Sequence, residues 1–212
     1  MSKLRYVALA LAFLGNTLPW PVLAKSAAPV DVAVNRCNAQ ATNDAAGRVR
    51  DYDRHAPGKN SSALVTRYGA LVEVITILNE EREILNNVCS SDAQKAPFFA
   101  QIAATSAWAL VLQADLAARL NASCPAAAKA LPTMMIADAW LALANVVNEG
   151  GGTVPTAFGE VIPKVQVHAQ TFGLTLPPWG ETSAYWRDQV HAKAKEQVAT
   201  CPSPTPTPPS PQ

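Results

Sequence analysis

The chain has little of what metal, redox and nucleophile chemistry needs. Its 212 residues include three histidines and four cysteines, and neither set forms a known cluster. No H-E-x-x-H, H-x-H or paired E-x-x-H is present, so the common zinc and di-metal spacings are missing. Without a C-x-x-C there is no zinc ribbon or thioredoxin-type redox pair, and without a C-x-x-C-H there is no covalent c-type haem. A G-x-S-x-G nucleophile elbow is missing too. Charged residues make up only 16% of the sequence, and the basic ones form no patch. Nucleic acid and anionic membrane surfaces are therefore not expected partners. Period-two alternation, the mark of a half-buried strand, is scarce.

What is present begins with an export signal. The N-terminus reads "MSKLRYVALALAFLGNTLPWPVLAKSAAP". Lys3 and Arg5 lead, Tyr6 to Leu14 form an apolar run, and Gly15, Asn16 and Pro19 break it. Val22-Leu23-Ala24 then offers small residues to a signal peptidase, so residues 1–24 are expected to be a cleavable secretory signal. The run is shorter than the roughly 20 residues that a spanning helix needs. No cysteine follows the cleavage point, so a lipid anchor is not expected. The later apolar stretches read as too short or uneven to span a bilayer. Export removes two of the 17 basic residues and none of the 16 acidic ones, which leaves a mature formal charge of −1.

The remainder reads as helix. Alanine is abundant, and apolar residues recur at steps of three and four. The clearest stripe is Leu64, Tyr68, Leu71, Ile75, Leu78, Arg82, Leu85 and Cys89, on a helix expected over 62–89, with Arg82 as its intruder. A weaker stripe through Val34, Cys37, Ala41, Ala45, Val49 and Tyr52 predicts a first helix over 31–54. Pro97 is expected in the first turn of a third helix that ends near Asn121. A fourth begins at Ser123 or Cys124 with Pro125 and ends at Gly150-Gly151-Gly152. Pro132 predicts a kink or restart within it. A short helix is expected over 156–172, then a connector, then a last helix with Trp186, Val190, Ala194, Val198 and Cys201 on one side. The expected fold class is all-α: an antiparallel helical bundle of four or five long helices plus one short helix, spanning 25–201. The final stretch, 202–212, is proline-rich, has no aliphatic residue to bury and is expected to be a disordered tail.

Four cysteines in an exported chain predict two disulfides. If successive long helices run up and down, Cys37 and Cys89 share one end, and Cys124 and Cys201 the other. The expected pairs are Cys37–Cys89 and Cys124–Cys201, each stabilising by about 4 kcal/mol in the chain-entropy account.

Candidate binding residues are few. Arg82 interrupts an apolar seam and needs a partner if buried. Asp138 on the fourth helix lies at a similar level, so an Arg82–Asp138 pair is one reading. The reading favoured is that Arg82 snorkels out and that Asp138, Asn145 and Glu149 form a wet face. Asp188 and His191 make a lone D-x-x-H, whereas a di-metal bundle needs a second motif. Met134 or Met135 with His168 or His191 is the haem-type combination. Met on an apolar helix usually fills gaps, however, and His168 continues a packing stripe. No cofactor is expected. Glu80, Glu81 and Glu83 in "NEEREIL" read as a solvated face. Trp179, in the connector "LPPWGE", is the best candidate for an exposed contact. The whole reads as an exported, non-enzymatic helical binding or interaction protein of the bacterial cell envelope or periplasm, recognising a protein or envelope component. The alternative is a bundle that holds haem, a metal or a small ligand between its helices.

Overall fold

The structure, a computed structural model, describes residues 40–181 and 183–201, the side chains of 183–188 excepted. The expected leader 1–24, Cys37 and the proline-rich 202–212 lie outside the described residues, as do the side chains of Trp186 and Asp188. Among the described residues the chain is all-helical, with six α-helices and no strand. They are α1 Gln40–Arg54, α2 Ser61–Val88, α3 Asp92–Leu120, α4 Pro125–Glu149, α5 Val161–Phe172 and α6 Ser183–Ala199. A 3₁₀ turn at Thr156–Phe158 precedes α5, so the short helix expected over 156–172 is split in two.

Local chemistry sets the helix starts. Asn60 Oδ1 accepts the Ala63 N–H at 2.8 Å and caps α2, satisfying one of the donors left over at a helix N-terminus. Ser91 caps α3 through Gln94 N–H, and the Ser90 hydroxyl donates to Gln94 Oε1 at 2.7 Å. This cap starts α3 earlier than Pro97 alone suggests, so Pro97 lies inside the helix rather than in its first turn. Cys124 precedes α4, with Pro125 as its first residue. Pro132 is buried within a continuous α4 and no restart occurs there. It removes one backbone bond near the N-terminal end, and the packed surroundings of α4 hold the helix across the gap.

The seam of α2 is rotated from the expected one. Its buried residues are Leu64, Tyr68, Leu71, Val74, Leu78, Glu81 and Leu85, followed by Cys89. Val74 and Glu81 replace Ile75 and Arg82, and the intruder is a carboxylate that is 7% exposed. Its partner is the fully buried Thr42 of α1, whose hydroxyl donates to Glu81 Oε2. Glu81 therefore leaves the solvated run "NEEREIL", because a buried carboxylate needs a donor and α1 supplies one. Arg48 pairs with Glu73 at 3.3 Å, and Arg67 donates to the Tyr52 carbonyl at 3.0 Å. The pairings 42/81, 48/73 and 52/67 descend on α2 as they ascend on α1, so these two helices run antiparallel.

α3 touches α1, α2, α4, α5 and the 3₁₀ turn. Its buried positions are mostly small, with Ala100, Ala103, Ala104, Ala107, Ala109, Ala114 and Ala117 among them. Small side chains bring helix axes close. α4, expected to be apolar nearly all round, buries Leu131, Met134, Met135, Ile136, Trp140, Leu143 and Val147 among others. Beyond it, Gly151 and Gly152 adopt positive φ, and Gly152 N–H reaches the Val147 carbonyl at 2.8 Å. That reversal ends α4 and sends Phe158, fully buried, back under α3.

By length and composition alone, α2, α3 and α4 are each apolar enough to cross a bilayer. Abundant Ala, Val and Leu raise the average although charges punctuate the pattern. In the fold, 72% of the α4 window is buried inside the protein, against 28% for α2.

One of the two expected disulfides lies within the described residues. Cys124 and Cys201 are bonded with Cα atoms 5.8 Å apart, inside the usual range. The bridge closes a separation of 77 residues, worth roughly 4.5 kcal/mol in the chain-entropy account.

The rotated seam makes Thr42 and Arg82 unequal. Thr42→Val leaves the buried Glu81 carboxylate without its donor and should cost about 1–3 kcal/mol in urea unfolding. Arg82→Gln, at the half-exposed edge, should cost under about 1 kcal/mol. The reverse order would refute the seam assignment.

Candidate functional site

α4 and α6 lie side by side and run antiparallel. Cys124 meets Cys201 at one end, and further along Asp138 Oδ1 meets His191 Nε2 at 2.8 Å. α6 packs on α4 through Ala194 and Val198, continuing to the half-buried Cys201 as the expected stripe requires. Flanking that stripe, Gln189, Lys193 and Gln197 follow at steps of four. They therefore form one polar edge of the helix beside Val190 and Ala194.

The connector between α5 and α6 forms a third wall. Gly173, with φ of 69°, ends α5 in the left-handed region that glycine adopts without strain. Leu174 N–H bonds the Ala169 carbonyl at 2.8 Å and closes the turn. Further on, Trp179 stacks on Trp140 of α4, with ring centroids 3.9 Å apart and planes 17° from parallel. The Trp140 indole N–H donates to the Pro177 carbonyl at 2.9 Å. The stack contributes about 0.5–1.5 kcal/mol beyond its area. Together these contacts pin "LPPWG" against α4.

Between α4, α6 and this connector lies a groove of about 740 Å³. Its apolar lining is Ala130, Phe172, Leu174, Pro177, Val190 and Ala194, and its polar lining includes Lys129, Thr133, Glu181, Gln189, Lys193 and Gln197. An apolar surface with a few polar groups at its edge, in a volume between about 300 and 1,000 Å³, is the usual form of a small-ligand site.

Arg82 and Asp138 are not brought together. The Arg82 guanidinium, with its side chain 40% exposed, sits 3.8 Å from Glu149 and over the Phe99 ring, in the snorkelling arrangement. Asp138 turns instead to His191, and its face is only half wet. Trp179 is half-buried on Trp140, so its role is to hold the groove wall rather than to stand free. His191 lies on α6 beside α4. His168, on α5, faces Asp115 of α3 at 3.1 Å through Nε2 and the Lys164 carbonyl at 2.8 Å through Nδ1. Met134 and Met135 are buried in α4. Among the described residues no three His, Cys, Asp or Glu side chains converge as ligands for a metal. Sequence reasoning passed over Lys129, Lys193, Gln189 and Gln197. The four-residue spacing on α6 was legible, but its facing wall was not.

The chain matches no protein-family profile, no characterised protein and no solved structure in comparison.

The two acceptors around His168 hold its pKa above the ordinary value of 6.5, chiefly through the Asp115 carboxylate. A histidine whose pKa rises on folding adds stability below its unfolded pKa, and this is lost as pH climbs through the folded one. From this pair the protein should be more stable at pH 6 than at pH 8. In Asp115→Asn that difference should shrink, and an NMR titration should show the imidazole pKa fall. An unchanged titration would exclude Asp115 as the cause.

Proposed function

We propose that this chain is an exported, non-enzymatic binding protein of the bacterial cell envelope, a helical bundle whose ligand lies in the groove between α4 and α6. The observation that carries this reading is the groove itself, walled by three elements and fixed by the Trp140–Trp179 stack and the Cys124–Cys201 bridge. The arrangement favours a small organic ligand between helices over haem or metal, since Nε2 of His168 and of His191 already faces a carboxylate. In this reading export rests on the leader in residues 1–24 and delivers the mature domain to the periplasm or the exterior. The partner in this reading is a protein or an envelope component, and the sequence has no basic cluster for nucleic acid.

The up-and-down course of the whole bundle belongs to this proposal, as does a second disulfide, Cys37–Cys89. Cys89 is buried at the end of α2, and among the described residues no cysteine is free.

Mass spectrometry of the exported protein should find Lys25 as the first residue and, after non-reducing digestion, a Cys37–Cys89 peptide. A Cys37–Cys201 or Cys89–Cys201 peptide would overturn the topology. A fragment screen by NMR on the mature domain should give shift changes that cluster at Ala130, Val190 and Ala194. Changes elsewhere, or none across the library, would refute the groove as the site.

A further inference from the structure

The groove carries an uneven distribution of charge. The lysines among the described residues are Lys59, Lys95, Lys129, Lys164, Lys193 and Lys195. Lys95 pairs with Asp92 and Lys164 with Asp53. Of the remaining lysines, which have no ion pair among the described residues, Lys129 and Lys193 both line this groove, one on each helical wall. Glu181, the acidic residue of the lining, pairs with neither of them. Gln189 and Gln197 add amide donors along the α6 edge. An apolar floor bounded by two unneutralised ammonium groups suits a molecule with an apolar body and an anionic head.

We infer that the groove binds a small anionic amphiphile, its aliphatic or aromatic body on the floor and its carboxylate or phosphate head between Lys129 and Lys193. This rests on the groove as the binding site and adds the charge and character of the ligand. The volume suits a small molecule and not a folded partner, whose interface would bury upwards of about 1,000 Å². The chain's own tail, "PSPTPTPPSPQ", is the competing occupant. It has no charged side chain to meet the lysines.

The test is calorimetric titration of the mature protein with dodecanoate, dodecyl phosphate, dodecanol and dodecyltrimethylammonium, each below its micelle concentration. The proteins compared are the wild type, the double variant Lys129→Gln/Lys193→Gln, and Val190→Trp, with circular dichroism checking that each folds. One or both anions should bind one per chain, and the comparison between them tells a carboxylate from a phosphate head. The double variant should weaken anion binding about tenfold, Val190→Trp should abolish it, and the cationic amphiphile should bind at least tenfold more weakly than the better anion. Equal binding of all four, or no effect of the double variant, would overturn the anionic assignment. If Val190→Trp still abolished binding in that case, the groove reading would survive. Unchanged binding in Val190→Trp would sink both. If no amphiphile binds, the inference falls, and the fragment screen decides the groove independently.

Discussion

The close packing of α3 against α4 is the constraint on which the rest of the structure depends. Alanine on α3 and small or medium residues on α4 let these two helices approach closely and bury each other along most of their length. A core built largely from small side chains gains less per residue from leaving water than one built from Leu and Phe, because the gain scales with apolar area. The outer helices therefore rely on specific ties as well as on apolar contact.

Those ties share a chemistry. Each histidine of the chain faces an aspartate: His55, just past α1, meets Asp51 of its last turn, His168 joins α5 to Asp115 of α3, and His191 joins α6 to Asp138 of α4. Two of the three thus fasten an outer helix to a central one. Lys164 extends the pattern, bonding Asp53 of α1 at 2.8 Å while its ammonium lies 4.7 Å from the Trp108 ring of α3. Thr42 and Glu81 provide the buried equivalent between α1 and α2. Ties of this kind add modest energy at half-exposed sites, but they fix which face of each helix turns inward.

The groove follows from how α6 is held. The disulfide and the Asp138–His191 bond secure α6 at two levels, and Ala194 is too small to fill the space between the helices. The connector stands apart because Trp179 is committed to Trp140. The space that remains is a groove open to solvent, and each of its three walls is held in place by contacts made outside it.

The sequence by itself determined that the chain is helical and roughly where the longer helices lie, because these depend on contacts within one or two turns. Cys124-Pro125 and the glycines after α4 mark two of the boundaries almost to the residue. The pairing of Cys124 with Cys201 was also legible, on the condition that the short helix between α4 and α6 does not count as a crossing. Rotation about each helix axis was decided only in the tertiary structure. One residue turns a helix by about 100°, so a stripe read as Ile75 and Arg82 became Val74 and Glu81 once Thr42 was there to receive the carboxylate. Likewise Asp138 found His191 rather than Arg82, and Lys129 and Lys193 came to face one groove. Those partners lie 39 to 64 residues apart in sequence, and no local periodicity encodes which faces will meet.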